Sequence, residues 1–241
     1  ASIDREGFFG DLETLAKDYS NRKGLFLVLN LRRKPGGPGV CAHTLATAVF
    51  RHRFSSYEEY KASLRSHYRR RLSLAEKKGA PLRWKQVPQT TFDDDIHRLY
   101  LQVLRHSEFP LETLGVDFFR TCPADIFALY DDADQPVAFV MTRHGNGQTT
   151  FVFGGLDYRM RDEYDLYYNM MIQVLRVGFD NHAEIIDFGQ TAERTKCRLG
   201  CELEPRYMLF LSSSRILNGL AKILMPLIEY KPVQENHRVF K

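Results

Sequence analysis

The sequence is poor in the features that mark secreted, membrane-spanning or metal-stapled proteins. It has four cysteines in 241 residues. Cys41, Cys122, Cys197 and Cys201 are scattered, which suits a reducing compartment better than a disulfide framework. Cys197-x-x-x-Cys201 has no second Cys or His pair at ligand spacing, so no metal is expected. No apolar run approaches the length of a spanning helix. The first such run, Gly24 to Leu31, follows a charged segment and lacks a cleavage-site pattern, so a cytoplasmic location is the expectation. His144 and His182 fall at turn or helix-end positions, outside any Ser/His/Asp or metal arrangement. The basic, glycine-rich stretch from Arg32 to Gly39 lacks the Gly-Lys-Ser/Thr ending of a phosphate loop and reads as a connector.

What is present is an ordinary globular composition, 44% apolar and 27% charged, in a chain long enough for one large domain or two small ones. The net charge is a modest +4, but it is unevenly spread. From Arg51 to Lys85 there are eleven Lys/Arg against three Asp/Glu, a local excess of +8, which leaves −4 for the remainder. Seven of these cations belong to a predicted long helix, capped by Ser55 or Ser56, with Glu58 and Glu59 at its positive end and Gly79 closing it. Tyr57, Tyr60, Leu64, Tyr68, Leu72 and Ala75 form its apolar stripe. Lys61, Arg65, Arg69, Arg70 and Arg71 fall largely on other faces, as a phosphate cradle or a solvated face.

Apolar periodicity and turn residues set the other elements. Asp11 caps a first helix with Leu12, Leu15, Ala16 and Tyr19 on one side. Gly24 to Leu31 reads as a strand buried on both faces, and Ala46 to Phe54 as another. Leu82 to Val87 is a short strand, followed by a helix that Thr91-x-x-Asp94 opens and Ile96, Leu99, Tyr100, Val103 and Leu104 stripe. A short helix follows at Gly115 to Thr121. Asp125 to Tyr130, Pro136 to Arg143 and Thr149 to Gly154 form an antiparallel meander, since their links are short and turn-rich. A helix from about Tyr164 to Phe179, apolar nearly all round, must pack deeply. Glu184 to Phe188 and Pro205 to Leu211 are strands on either side of a polar segment. A last helix has Ser213 or Ser214 as cap, a Leu217, Leu220, Leu224, Leu227, Ile228 stripe and Pro226 to bend or end it; it packs on its own domain, docks a partner or lies on a membrane surface.

A meander followed by a crossover helix and a strand describes an α/β (α+β) protein with a mixed, mostly antiparallel sheet and helices on both faces. The order resembles the GNAT acyltransferase fold. Tyr57-x-x-Tyr60 through the basic run Tyr68-Arg69-Arg70-Arg71-Leu72 to Gly79 resembles the entry helix of the FemABX-like branch. Phe153-Gly154-Gly155-Leu156-Asp157, the Tyr164 helix and Asp187-Phe188-Gly189-(x)6-Lys196-x-x-x-Gly200 resemble that branch's later signature. The resemblance covers about residues 57–211 and implies three parts: 1–54 as an extension or a partner half-domain, 55–212 as the acyltransferase domain, and 213–241 as a helix and tail.

The resemblance implies transfer of an acyl or aminoacyl group to a small-molecule or amino-acid-like amine, with acyl-CoA or aminoacyl-tRNA as donor. One departure concerns the loop that holds the donor's diphosphate in GNAT proteins. In Leu156-Asp157-Tyr158-Arg159-Met160-Arg161-Asp162-Glu163 no glycine brings backbone N–H groups close to phosphate. Arg159 and Arg161 can offer side-chain contacts instead. In a second departure, Thr195 precedes Lys196 where the branch often has tyrosine. Lys196 either supports developing negative charge or pairs on the surface with Glu193 or Glu202. Asp187 is a base, orients one, or caps the following segment. Lys196 and Asp187 are thus the catalytic candidates, and Arg69, Arg70, Gly154, Gly155, Arg159, Arg161 and Tyr164 the donor-binding ones. Tyr164 and Tyr167 read more readily as core tyrosines than as acids. The competing reading is a non-catalytic relative that binds RNA or another polyanion through the basic helix.

Overall fold

Strand β5, residues Pro136–Gly145, is the most enclosed strand of the sheet, buried from Pro136 to Thr142. In this computed structural model, which describes residues 14, 15, 18, 24–36, 38–107, 112–231 and 237–241, the other strands are β1 (Leu25–Leu31), β2 (Val40–Arg51), β3 (Arg83–Val87), β4 (Asp125–Tyr130), β6 (Gln148–Leu156), β7 (Ile185–Asp187) and β8 (Glu202–Ser212). The helices are α1 (Tyr57–Ser63), α2 (Ser66–Gly79), α3 (Asp94–Arg105), α4 (Val116–Thr121), α5 (Leu166–Asp180), α6 (Glu193–Arg198) and α7 (Arg215–Ile228), with a 3-10 turn at Gln89–Thr91. The predicted first helix lies almost wholly outside the described residues. The sheet order is β1-β8-β2-β7-β6-β5-β4-β3.

The chain forms two compact units. The first comprises Ala1–Ala48, Gln190–Glu193 and Glu202–Asn236; the second comprises Val49–Gly189, Arg194–Cys201 and His237–Lys241. In the first, β1 pairs antiparallel with β8, and α7 lays Ala221 and Met225 against Met208, Phe210, Val40 and Ala42. Ser214 caps α7 by accepting from the Leu217 N–H. The sequence reading of β1 as buried on both faces is not met. Leu25, Leu27 and Leu29 are 54%, 49% and 52% exposed, because β1 is an edge strand with only Phe26, Val28 and Leu31 packed into a cluster.

In the second unit β3, β4, β5 and β6 form a continuous antiparallel meander. Two adjacent glycines of β6 show that both faces are covered. Successive strand residues point to opposite faces, and a Cβ at Gly154 would meet Met170 of α5 whereas one at Gly155 would meet the backbone of Leu99 and Tyr100 in α3. Helix α3 completes a core with Phe92, Phe119, Ile126, Phe139 and Met141. Its cap is Asp93, which accepts from the Ile96 N–H, not the predicted Thr91, which is taken up in the 3-10 turn. Helix α5 crosses over to bring β7 parallel to β6, as a crossover connection requires.

The single long basic helix predicted from the sequence is two helices. Leu64 is extended, at φ −63° and ψ 140°, and forms an antiparallel bridge with Phe240. The Arg65 N–H donates to Val239 O at 2.9 Å and the Lys241 N–H to Ser63 O at 3.1 Å. The inserted segment thus satisfies the backbone groups that a helix break exposes.

Candidate functional site

The candidate site forms where the parallel pair of the second unit parts. β6 and β7 are in register only at Gln148–Ile185, Thr149–Ile186 and Thr150–Asp187. β7 ends at Asp187 while β6 runs on to Leu156. From Phe151 onward β6 therefore presents a strand edge that β7 does not pair, the kind of edge to which an extended chain can add.

Beyond the end of β7 the chain turns sharply. Gly189 has φ +70°, a conformation that favours glycine, and its N–H donates to Asp187 Oδ1 at 2.8 Å. Among the described residues a Cβ on Gly189 would meet only Phe151 O, at 4.0 Å, so the turn lies beside β6 without being crowded by them. Lys196 is 2% exposed, so it does not lie on the surface, and its Nζ donates to Gly189 O at 3.3 Å. Asp187, Gly189 and Lys196 are thus gathered at one place: the carboxylate shapes the turn, and the turn's carbonyl receives the lysine.

Lys196 is held through its backbone as well. Its carbonyl accepts from the N–H groups of Leu199 (3.0 Å) and Cys201 (3.2 Å), closing α6 in a left-handed turn at Gly200, φ +96°. Buried Tyr60 donates its hydroxyl to Leu199 O at 3.0 Å. Burial raises the Tyr60 pKa well above its ordinary value, so the phenol stays a donor. These contacts had no clear signal in the sequence beyond Gly200 itself.

The donor-loop candidates lie at the far end of β6. Asp157 Oδ1 accepts from the Arg159 N–H (3.0 Å) and Nε (3.1 Å), and Oδ2 from Arg159 Nη2 (2.6 Å) and Arg98 Nη1 (3.5 Å). Hydrogen bonding from Arg159 holds the Asp157 carboxyl below its ordinary pKa, against its own desolvation. Arg159 is nonetheless 79% exposed along its side chain. Arg161 pairs with Asp162 and lies over the Tyr158 ring, which stacks on His106 with centroids 3.7 Å apart. The backbone N–H of Tyr158 donates to Gln102 Oε1, that of Met160 to Asp157 O and that of Tyr164 to Met160 O. These engaged donors do not fit a diphosphate cradle of the usual GNAT kind. The Tyr164 hydroxyl is raised in pKa chiefly by its hydrogen bond with Glu163. Gly154 and Gly155 are held by helix packing, as described above.

Most cations of the basic segment have intramolecular partners. Arg71 makes a two-pronged pair with Asp165 (2.5 and 2.9 Å) and lies 4.0 Å above the Tyr168 ring centroid. Burial dominates at Tyr168, and its pKa is pushed up to about 12. Lys61 and Arg176 converge on Glu76, Arg69 reaches the carbonyls of Ala62 and Leu64, and Lys78 that of Asp162. Arg70 is exposed. Asn169, a buried polar residue that the sequence reading did not single out, ties α5 to α2 through Ala75 O (2.8 Å) and to Tyr164 O (2.9 Å). All four cysteines are free, and among the described residues no group of His, Cys, Asp or Glu could hold a metal ion. Among them, too, no helix is long and apolar enough to cross a membrane.

The fold recurs in solved structures. FemX superposes with a TM-score of 0.56 at 10% identity, over 73% of this chain and 64% of its own. The C-terminal domain of a putative lysylphosphatidylglycerol synthetase from Agrobacterium fabrum superposes at 0.53 and 12% identity, over 82% and 69%. The chain shares the fold of FemX. A conserved protein of unknown function from Bacteroides thetaiotaomicron shares it at a TM-score of 0.58 and 12% identity, over 85% of this chain and 76% of that one. At these identities the likeness establishes the fold alone. No family model matches the sequence, and no curated protein does.

Proposed function

We propose that the protein is an N-acyltransferase that moves an acyl or aminoacyl group from an activated donor, acyl-CoA or aminoacyl-tRNA, to an amine. The observation that supports this most is the unpaired edge of β6 beside a turn that carries a buried lysine. An extended donor arm bearing amides can add to that edge as a further strand, which fixes its reactive carbonyl at the mouth of the opening. The attacking amine forms the new C–N bond at the acyl carbon. The C–S bond of a thioester or the C–O bond of an ester breaks, and a proton passes from nitrogen to the leaving thiolate or alkoxide. Lys196 supplies fixed positive charge where the oxyanion develops, and water exclusion strengthens that effect. Asp187 is the carboxylate that positions the turn.

The engaged N–H groups of Tyr158, Arg159, Met160 and Tyr164 count against acyl-CoA held by a backbone cradle, so both donor classes belong in the test. Polyanion binding through the basic helix has less support, because Lys61, Arg65, Arg69, Arg71 and Lys78 are bonded within the protein. The test is single-turnover transfer to an amine panel from labelled acyl-CoA compounds and from labelled aminoacyl-tRNA. Lys196→Met is expected to lower the rate at least about a hundredfold, the order lost with one oxyanion donor, while thermal stability changes little. Equal rates in mutant and parent would remove Lys196 from the chemistry.

A further inference from the structure

The turn that presents Lys196 is braced by a segment of the chain far from it in sequence. His237–Lys241 belongs to the same compact unit as Lys196. The segment is tied down on its backbone: Val239 O accepts from the Arg65 N–H (2.9 Å), the Lys241 N–H donates to Ser63 O (3.1 Å), and Arg65 Nε donates to Phe240 O (2.8 Å). Lys241 Nζ adds a bond to Ala62 O at 2.8 Å. So anchored, Phe240 lays its ring on Gly200, where a Cβ would collide with the ring's edge, and packs against Phe54 and Tyr60 with centroids 5.3 and 6.2 Å away. Gly200 closes the turn whose hydrogen bonds end on the Lys196 carbonyl. Tyr60 touches the ring and also bonds Leu199 O.

We propose that His237–Lys241 is a positioning strap for Lys196, with Phe240 as its positioning residue. The ring packs on Gly200 while Tyr60, in contact with that ring, holds the neighbouring Leu199 O, which keeps the lysine buried and aimed at Gly189 O. Breaking the helix at Leu64–Arg65 creates the backbone groups that seat the strap. This inference rests on the reading of Lys196 as the site lysine, but its first test does not depend on transfer activity.

That test is brief labelling of the full chain with acetic anhydride, read by peptide mass spectrometry as the ratio of Lys196 to exposed Lys77. Phe240→Ala is expected to raise the ratio about tenfold through local opening of the turn, and Phe240→Leu, which keeps most of the apolar bulk, to restore it. Arg65→Ala, an exposed change that removes one tie to the strap, is expected to raise it less, in the same direction; it serves if Phe240→Ala does not fold. An unchanged ratio in these variants, or an equal rise at both lysines, overturns the strap. In the transfer assay Phe240→Ala is expected to lower kcat with KM unchanged, and a raised KM at unchanged kcat would overturn a positioning role. Full activity of Lys196→Met would refute only the functional reading, since the strap is judged by the labelling ratio.

Discussion

Replacing Gly155 by alanine separates packing from ligand binding at the end of β6. The added Cβ would sit 2.5 Å from both Leu99 C and Tyr100 N. Those atoms are the backbone of α3, inside a helix whose Ile96, Leu99 and Tyr100 are locked into the aromatic core, so relief requires the helix itself to move. Overpacking typically costs 1–3 kcal/mol, and a clash with helix backbone belongs at the upper end, about 3 kcal/mol. For a chain of this size that is a fall in Tm of about 6–12 °C. The assay is thermal and urea unfolding followed by tryptophan fluorescence. Trp84 is the sole tryptophan; it lies in β3, paired to Leu129, and so reports on the unit that holds Gly155. Gly145→Ala, with open space around its Cβ, is the control and should stay within about 0.5 kcal/mol of the parent. If Gly155→Ala unfolds like the control yet loses donor binding, the glycine serves the ligand and the packing argument is wrong.

Other consequences are as specific. Asn169→Ala leaves the carbonyls of Ala75 and Tyr164 without their donor, and should cost about 1–3 kcal/mol in urea unfolding. Asp157 has a depressed folded-state pKa, so its contribution is present above the unfolded aspartate value and is lost as pH falls through the folded one. Asp157→Asn should therefore destabilise at neutral pH and converge with the parent below the ordinary aspartate value of 3.8, checked by unfolding across pH. Arg70→Glu, on an exposed side chain, should leave stability within about 0.5 kcal/mol. If the basic face carries tRNA, the same change should weaken binding and flatten its salt dependence; unchanged binding assigns Arg70 to a solvated face.

Much of the architecture was legible because it depends on local pattern. The meander strands and α5 follow from alternation, turn residues and an apolar helix, and β4 occupies the predicted Asp125–Tyr130. What escaped depends on partners distant in sequence. The apolar stripe from Tyr57 to Ala75 runs unbroken through Leu64, and nothing local says that Phe240 will pair there and split the helix. β1 looked doubly buried because apolar residues occupy both of its faces, Leu25, Leu27 and Leu29 on one and Phe26 and Val28 on the other, and only its edge position shows that the leucine row stays exposed. At the site, the Asp187-Phe188-Gly189 turn and Lys196 were expected near a strand end, where they are found. The burial of that lysine, its bond to Gly189 O and the bracing by Tyr60 and Phe240 are tertiary facts. Arg159 and Arg161, read from the sequence as able to offer side-chain contacts to a donor, also pair with the neighbouring carboxylates of Asp157 and Asp162, which spacing alone did not show.

The opening between β6 and β7 as a site of acyl transfer is tested most directly by single-turnover transfer to an amine, run in parallel from acyl-CoA and from aminoacyl-tRNA with the parent protein and Lys196→Met. The account predicts an N-acylated product from at least one donor, formed at least about a hundredfold more slowly by the mutant. No product from either donor, or the same rate in both proteins, would contradict it.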